Sequence, residues 1–393
     1  MTIRLFDTSR RSIEAFEPDH VVRMYVCGIT PYDSTHLGHA ATYLAYDLLI
    51  RRLEDLGHEV RMVRNVTDVD DSILPKAREL GVPYLELAAS ELARFQADMG
   101  ALGMRPPTAE PRATEAIDGM IEMINMLLES EHAYLTHGTV FFDVSTFPAF
   151  GELSHYPRDH MVRLARARGG NPDDPHRRDP LDFVLWQPSL NDEPAWRAPF
   201  GVGRPGWHVE CSVMAMQNLG PTLDLHGGGT DLIFPHHECE IAQSESISGE
   251  PFARHWMHSA MVSYEGEKMS KSLGNLVFVS DLLEVADARA IRLALMRHHY
   301  RAGFEWHDTD LDEGTALLHR LLAAARCEGG ADPAPYVTRV RDALDADLDA
   351  PRAVEALDDL ASAILSGGDD ASAPGELRTL GALLGLDLAR ALD

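Results

Sequence analysis

Residues 35–39 combine two histidines with a glycine after a predicted strand and a turn that contains Gly28, Thr30 and Pro31, and they stand at the start of a helical pattern. A helix N-terminus offers unpaired N–H groups and positive potential, and both bind phosphate. Gly38 would let a nucleotide approach the backbone, and the imidazoles of His36 and His39 could donate hydrogen bonds to phosphate oxygens. Taken alone, His-x-Gly-His is as typical of ordinary surface histidines as of a phosphate site.

A second segment, residues 266–275, is a glycine-flanked loop that carries the last two lysines of the chain, Lys268 and Lys271. Two ammonium groups so close together could neutralise the charge that builds on a leaving pyrophosphate. The alternative is a solvated basic loop. The chain has 62 acidic and 35 basic residues and a formal net charge of −27, so a pair of lysines in one loop favours the phosphate interpretation.

Thiol, imidazole and carboxylate side chains form a third set of candidates. Cys27 follows an apolar strand pattern, and Cys211 is the last residue of the Gly-Trp-His-Val-Glu-Cys segment at 206–211. His236 and Glu240 are one helical turn apart and therefore share a helix face. Each of these residues alone is more typical of packing than of ligation. Thiolate and imidazole together favour zinc.

The elements that would position these residues follow a β-α-β pattern, with strands over 21–27 and 58–66 and a helix over 37–56. Such a unit predicts a parallel sheet with a right-handed crossover, whose ligands lie beyond the carboxyl ends of the strands. Cys27 and Asn65 fall there. The remaining predicted elements are helices over 76–103, 112–130, 236–248 and 279–299, and strands over 221–226 and 255–263.

A stretch from 143 to 199, dense in Pro, Gly, Asp and Arg, predicts a subdomain inserted over about 105–205. We therefore expect a catalytic domain over 1–300 that contains this insert. Helical spacing beyond Arg301 predicts an α-helical bundle over 301–393.

The 36–39 and 268–272 segments, in this order and in a parallel α/β setting, resemble the two signatures of class I aminoacyl-tRNA synthetases. The resemblance implies an α/β fold, with a Rossmann-like parallel-sheet catalytic domain, an inserted subdomain and a C-terminal α-helical bundle. It also implies attack of an amino-acid carboxylate on the α-phosphate of ATP, with Mg²⁺ bound to the nucleotide. The residues implied to stabilise the phosphates are His36, His39, Lys268 and Lys271.

The thiol and imidazole segments resemble the zinc site of the cysteine-activating enzymes in this group. The resemblance implies one Zn²⁺ per chain, held by Cys27, Cys211 and His236, with a position open for the substrate thiolate. A serine hydroxyl, being a poorer ligand, would be rejected. The sequence leaves open whether Glu240 is a fourth ligand or supports the others.

The resemblance further assigns a set of residues to L-cysteine and its adenylate, although ordinary packing and a tight turn would also explain many of them. These residues are Cys27, Gly28, Ile29, Thr30, Thr42, Asn65, Val66, Thr67, Trp207, Gly229, Thr230, Asp231 and Val262.

Two kinds of enzyme share this machinery, namely cysteinyl-tRNA synthetase and the ligase that joins cysteine to glucosaminyl-inositol in mycothiol biosynthesis. Residues 27–43 and 275–280 look like the ligase. From Ala302 onward there are 19 acidic residues and seven arginines, which disfavours a surface for tRNA. We therefore expect ATP, L-cysteine and glucosaminyl-inositol as ligands of a monomer, and no nucleic acid. A cysteinyl-tRNA synthetase and a non-catalytic zinc-binding module are the alternatives.

One segment departs from the ligase pattern, because residues 167–172 lack two of the charges that the pattern carries there. Either this segment helps to recognise the sugar or to close the site, or it is a surface loop.

The composition agrees with a soluble cytoplasmic protein. No apolar run is long enough to span a membrane. The four cysteines are too few and too scattered for a disulfide framework, so we expect reduced thiols or metal ligands.

Overall fold

The computed structural model describes residues 2–32, 35–269 and 274–392. The strands are β1 (Ile3–Asp7), β2 (Ser12–Phe16), β3 (Val21–Ile29), β4 (Glu59–Val66), β5 (Ala133–Thr136), β6 (Thr139–Phe142), β7 (Phe183–Gln187), β8 (Trp196–Ala198), β9 (Gly201–Pro205), β10 (Leu225–Gly229), β11 (Trp256–Ser259), β12 (Val262–Tyr264), β13 (Glu267–Lys268) and β14 (Phe304–Glu305). The α-helices are α1 (Leu37–Asp55), α2 (Ile73–Leu80), α3 (Tyr84–Ala101), α4 (Ile117–Glu129), α5 (Arg158–Ala167), α6 (Trp207–Leu219), α7 (Glu238–Ser248), α8 (Val279–Val285), α9 (Ala288–Met296), α10 (Asp308–Ala324), α11 (Ala334–Asp345), α12 (Ala350–Leu365) and α13 (Ala373–Leu383).

A parallel sheet lies at the centre of the fold, with its strands in the order β11-β10-β3-β4. β3, one of the two inner strands, is largely buried, as expected where helices or a second sheet cover both faces of a parallel sheet. This arrangement confirms the predicted α/β fold class and the predicted parallel β-α-β unit of β3, α1 and β4.

Alternate residues of β3 enter two different cores. Val22, Met24 and Val26 belong to an apolar cluster that continues without a break into α10–α13. Tyr25 and Cys27 point the other way, into a cluster shared with α4, α6 and the inserted strands. Strand alternation therefore places the C-terminal helices behind the sheet and the inserted strands over the face that carries Cys27.

The inserted strands form an antiparallel sheet in the order β5-β6-β7-β9-β8. The predicted subdomain limits of about 105–205, and the domain boundary near 300, stay predictions.

Charged groups join the C-terminal helices to α1 and α9. Arg52 on α1 pairs with Asp345 on α11 at 2.8 Å. Arg292 on α9 pairs with Asp47 on α1 and donates to the Leu384 carbonyl at 2.7 Å. The C-terminal helices are thus tied to helices that share one apolar core with the parallel sheet.

Three predicted elements are each divided in two. The helix predicted over 76–103 is interrupted where Gly81 adopts a left-handed conformation (φ 67°) and Pro83 precedes α3. The strand predicted over 255–263 becomes β11 and β12. The helix predicted over 279–299 becomes α8 and α9, with Asp287 capping the second by accepting from the Arg289 N–H.

Within the described ranges, no helix is both long and apolar enough to cross a membrane.

Candidate functional site

Four buried side chains converge at the carboxyl end of β3. One ligand atom each from Cys27, Cys211, His236 and Glu240 lies within 4.8 Å of all the others. His236 Nε2 lies 2.9 Å from Glu240 Oε1, and Cys27 Sγ lies 3.6 Å from the same oxygen. Two sulfurs, an imidazole nitrogen and a carboxylate oxygen form a donor set of the kind that zinc takes.

Three elements deliver these donors. Cys27 is near the end of β3, Cys211 is in the second turn of α6, and Glu240 is in the first turn of α7. His236 precedes α7, in the irregular turn of residues 233–237. The predicted ligands Cys27, Cys211 and His236 are therefore brought together, and Glu240 contributes a carboxylate oxygen as a fourth donor at the same point.

Burial and mutual contact set the charges of this group. Burial raises the pKa of the Cys211 thiol, but the hydrogen bond from Cys27 and the charge of His236 outweigh it and lower the pKa to about 6. Burial alone would lower the pKa of His236, whereas Glu240 and Cys211 raise it to about 10. Burial raises the pKa of Cys27 well above its usual value. Cys211 is thus poised as a thiolate, the form that binds metals.

A shell of further histidines surrounds the group, and the sequence analysis did not assign them. His226 Nε2 lies 2.7 Å from Glu240 Oε2, and His208 Nδ1 lies 2.9 Å from His236 Nδ1. His237 lies between Cys27 Sγ (3.3 Å) and His258 (2.8 Å). Such contacts fix the orientation of ligating side chains. His226 is on β10 and His258 is on β11, and their contacts with the group depend on the strand order β11-β10-β3, which the sequence did not predict.

The predicted phosphate site lies at the start of α1. His36 is the N-cap, and its Nδ1 accepts a hydrogen bond from the Gly38 N–H at 3.1 Å. The rings of His36 and His39 are stacked with centroids 3.8 Å apart. The prediction that this segment opens a helix after a strand is confirmed, and both imidazoles lie where the helix presents its N–H groups.

Residues 277–279, which follow the second signature, form backbone hydrogen bonds with the first signature. Leu37 N–H donates to the Val277 carbonyl at 2.9 Å, and Val279 N–H donates to the Thr35 carbonyl at 3.0 Å. Lys268 is in β13, and its side chain lies outside the described part of the chain, as does the whole of Lys271. The backbone pairing nevertheless places residues 277–279, which follow the second signature, beside the first signature.

Residues of β3 and β4 form a close junction beside this site. The Gly28 N–H donates to Asn65 Oδ1 at 2.7 Å, and Asn65 in turn donates to Thr67 Oγ1 at 3.0 Å. The Thr30 hydroxyl donates to Asp70 at 3.1 Å. The remaining β3 and β4 residues assigned to the substrate, Ile29 and Val66, are buried neighbours in the sheet.

The other predicted substrate residues lie around the same edge. Trp207 is the first residue of α6 and stacks on His236 at 4.2 Å between centroids. Gly229 ends β10, with Thr230 and Asp231 in the turn that follows. Val262 begins β12 and accepts the Met269 N–H at 3.1 Å. Thr42 is in the second turn of α1, where its side chain is half-buried.

Residues 167–172, the segment that departs from the ligase pattern, span the end of α5 and the loop beyond it. Arg168 Nη1 donates to the carbonyls of Asp231 and Phe234. Arg168 and Asn171 also line a cavity together with Trp207. The segment therefore contacts Asp231 and Phe234 through an exposed arginine, and its part in sugar recognition or site closure stays a prediction.

Gly28 offers a direct test of the β3–β4 junction. A Cβ added there would lie 1.7 Å from the Asn65 carbonyl oxygen, so Gly28→Ala must push the strands apart. We expect a loss of about 1–3 kcal/mol in the free energy of unfolding and slower adenylate formation. Urea denaturation and ATP–pyrophosphate exchange measure these effects. Gly100→Ala is the matched control, because a Cβ there meets nothing within 4 Å and should leave both quantities unchanged or raise stability.

Comparisons with known proteins agree with this geometry. A family model described as "tRNA synthetases class I (C) catalytic domain" matches residues 13–316. The L-cysteine:1D-myo-inositol 2-amino-2-deoxy-alpha-D-glucopyranoside ligase of Thermobispora bispora is 49% identical over 390 residues, which cover 99% of this chain and 96% of that protein. The ligase of the same name from Mycobacterium ulcerans is 48% identical over 393 residues, covering 98% and 96%.

Solved structures share the fold at low sequence identity. Mycobacterium tuberculosis methionyl-tRNA synthetase in complex with methionyl-adenylate has a TM-score of 0.64 and 18% identity, over 93% of this chain and 88% of that chain. The LeuRS–tRNA–LeuAMS complex of Agrobacterium radiobacter K84 has a TM-score of 0.66 and 12% identity, over 95% and 85%.

Proposed function

Because the chain belongs to the family of L-cysteine:1D-myo-inositol 2-amino-2-deoxy-alpha-D-glucopyranoside ligases, with a class I (C) tRNA synthetase catalytic domain, we propose that it joins L-cysteine to the amine of glucosaminyl-inositol at the expense of ATP. This is a step of mycothiol biosynthesis, which we place in the cytoplasm. The observation that carries the proposal is the buried Cys27–Cys211–His236–Glu240 group at the sheet edge where α1 presents its phosphate site.

The first half of the reaction activates cysteine. A carboxylate oxygen of cysteine attacks the α-phosphorus of ATP, the bond from that phosphorus to the bridging oxygen breaks, and pyrophosphate leaves. Mg²⁺ bound to the nucleotide would reduce the negative charge on its phosphates. His36 and His39 would donate to the phosphate oxygens, and Lys268 and Lys271 would neutralise the leaving pyrophosphate. Positioning and charge stabilisation are sufficient here, and no covalent enzyme intermediate is needed.

The second half forms the amide. The amine nitrogen of the sugar attacks the carbonyl carbon of the cysteinyl adenylate, the carbon–oxygen bond to the phosphate breaks, and AMP leaves as one amine proton is released. The junction of Gly28, Asn65 and Thr67 would hold the adenylate at the sheet edge during this attack. We assign the remaining contacts to Ile29, Thr30, Thr42, Val66, Trp207, Gly229, Thr230, Asp231 and Val262.

Cys27, Cys211 and His236 would hold one zinc ion, with Glu240 as a fourth donor or as the group that holds His236. Zinc bound there would coordinate the cysteine sulfur and favour it over the hydroxyl oxygen of serine. The chain's own contribution is to keep Cys211 ionised and to fix the imidazole of His236 through His208 and Glu240.

Glu240→Gln tests the carboxylate. The amide keeps the shape but removes the charge that faces His236 and His226, so we expect zinc affinity to fall about 10- to 100-fold. Competition with a chromophoric chelator measures this change. Glu250→Gln, an exposed position just beyond α7, should leave the affinity unchanged.

Exchange of pyrophosphate into ATP tests cysteine activation. We expect exchange with L-cysteine and exchange at least about 100-fold weaker with L-serine. Equal exchange with both amino acids would refute sulfur selection. No exchange with either would support the alternative of a non-catalytic zinc-binding module.

A further inference from the structure

A cavity of about 490 Å³ lies between the edge of the parallel sheet and the inserted antiparallel sheet. Thr30, Asp70 and Trp207 form its wall on the catalytic side, and Arg177 and Phe183 form its wall on the inserted side. Ligand sites of this kind span about 300–1,000 Å³. We propose that this cavity is the acceptor site, and that the insert binds the amino-sugar and polyol rings through Asp174 and Arg177. The proposal rests on the proposed function and specifies where its second substrate binds.

The cavity adjoins the reacting groups directly. Trp207, which lines it, stacks on the candidate metal ligand His236 at 4.2 Å between centroids. His208 also lines it and lies 2.9 Å from the same imidazole. Thr30 follows the Cys27–Ile29 end of β3, where the adenylate is placed. An acceptor in this cavity would therefore face the activated carboxyl group.

A fixed guanidinium in the cavity wall points to a polar ligand. The Arg177 Nη1 donates to the Asp182 carbonyl at 2.6 Å, and the guanidinium carbon lies 5.3 Å from the centroid of the Phe141 ring. Arg177 lines the cavity, so a ligand there would meet a charged hydrogen-bond donor that is held in place. Asp174 faces the same guanidinium and adds an acceptor on that side. A hydroxyl group both donates and accepts, so a polyol matches this pair.

The charge of the lining favours an amine over a phosphate. Four aspartates (Asp70, Asp71, Asp174 and Asp182) and two arginines (Arg168 and Arg177) line the cavity. Asp71 is paired with Arg204, so three carboxylates and two guanidiniums remain, and this smaller excess still favours an ammonium group over the phosphates of an RNA end. Phe183 and Trp207 give this lining an apolar part beside its charged groups.

Neighbouring aspartates allow a matched test. Asp174 lines the cavity, whereas Asp173 pairs with Arg166 at 2.7 Å and does not line it. We expect Asp174→Asn and Arg177→Gln each to raise the KM for glucosaminyl-inositol by about tenfold or more. Cysteine-dependent pyrophosphate exchange should stay within about twofold of the wild type, since neither residue contacts the phosphate site. Asp173→Asn should change neither quantity.

The outcomes separate this proposal from the proposed function. If the wild type uses glucosaminyl-inositol and the KM of both variants is unchanged, the cavity assignment is wrong and the ligase function stands. If KM and pyrophosphate exchange change together in Asp174→Asn, the residue supports the fold and the assignment is also wrong. If the wild type exchanges pyrophosphate with cysteine but never uses the sugar, the acceptor of the proposed function fails and the assignment fails with it.

Discussion

Cys211→Ser will deplete the protein of zinc and stop cysteine activation. Cys211 is 1% exposed, and its pKa of about 6 makes it the thiolate of the group, a role that a serine hydroxyl cannot take. We expect zinc content to fall from about one ion per chain to a small fraction of that. Without the metal, the transition state for cysteine activation would lose several kcal/mol of stabilisation. We therefore expect cysteine-dependent pyrophosphate exchange to be at least about 10³-fold slower.

Metal analysis by plasma mass spectrometry and the exchange assay would measure these two effects in the same preparation. Cys327→Ser is the matched control, because Cys327 is in the C-terminal part of the chain, where its thiol donates to the Ala323 carbonyl at 3.7 Å, and it is not a member of the candidate metal group. Full zinc content with normal exchange in Cys211→Ser would remove Cys211 from the ligand set.

His39→Ala will slow adenylate formation while leaving zinc content intact. The imidazole is stacked on His36 at the N-terminus of α1 and is far in sequence from the candidate metal ligands on α6 and α7. Removing one donor to a developing charge costs about 10²- to 10³-fold in rate. His39→Asn keeps an N–H donor and should retain more activity than His39→Ala.

Rapid-quench measurement of pyrophosphate release would isolate this step from acceptor transfer. His319→Ala, an exposed position on α10, is the control and should match the wild type. If His39→Ala forms the adenylate at the wild-type rate, the imidazole does not act on the phosphates.

The central β-α-β unit was predictable because its signals are strong and local. The apolar run of β3 and the helical spacing of α1 fixed these elements to within two residues, and the position of His36 before the helix followed from them. Breaks such as the one at Gly81 were missed because apolar spacing continued across them. In that case, local left-handed geometry outweighed periodicity.

The candidate site was predictable in part. Cys27, Cys211 and His236 came from resemblance, and the structure brings them together, but the contact of His226 with Glu240 depends on which strands are neighbours. Sequence order does not reveal that β10 lies beside β3. The cavity likewise depends on how the inserted sheet packs over Trp207, and the irregular 143–199 stretch gave no periodic signal for that sheet.

Acceptor-dependent AMP release tests the central claim most directly. The zinc-loaded protein would be given ATP and L-cysteine, with either glucosaminyl-inositol or the tRNA for cysteine as acceptor. The account predicts that glucosaminyl-inositol drives AMP release with formation of an equal amount of cysteinyl amide, and that the tRNA does not. AMP release driven by the tRNA alone would contradict it and identify the protein as a cysteinyl-tRNA synthetase.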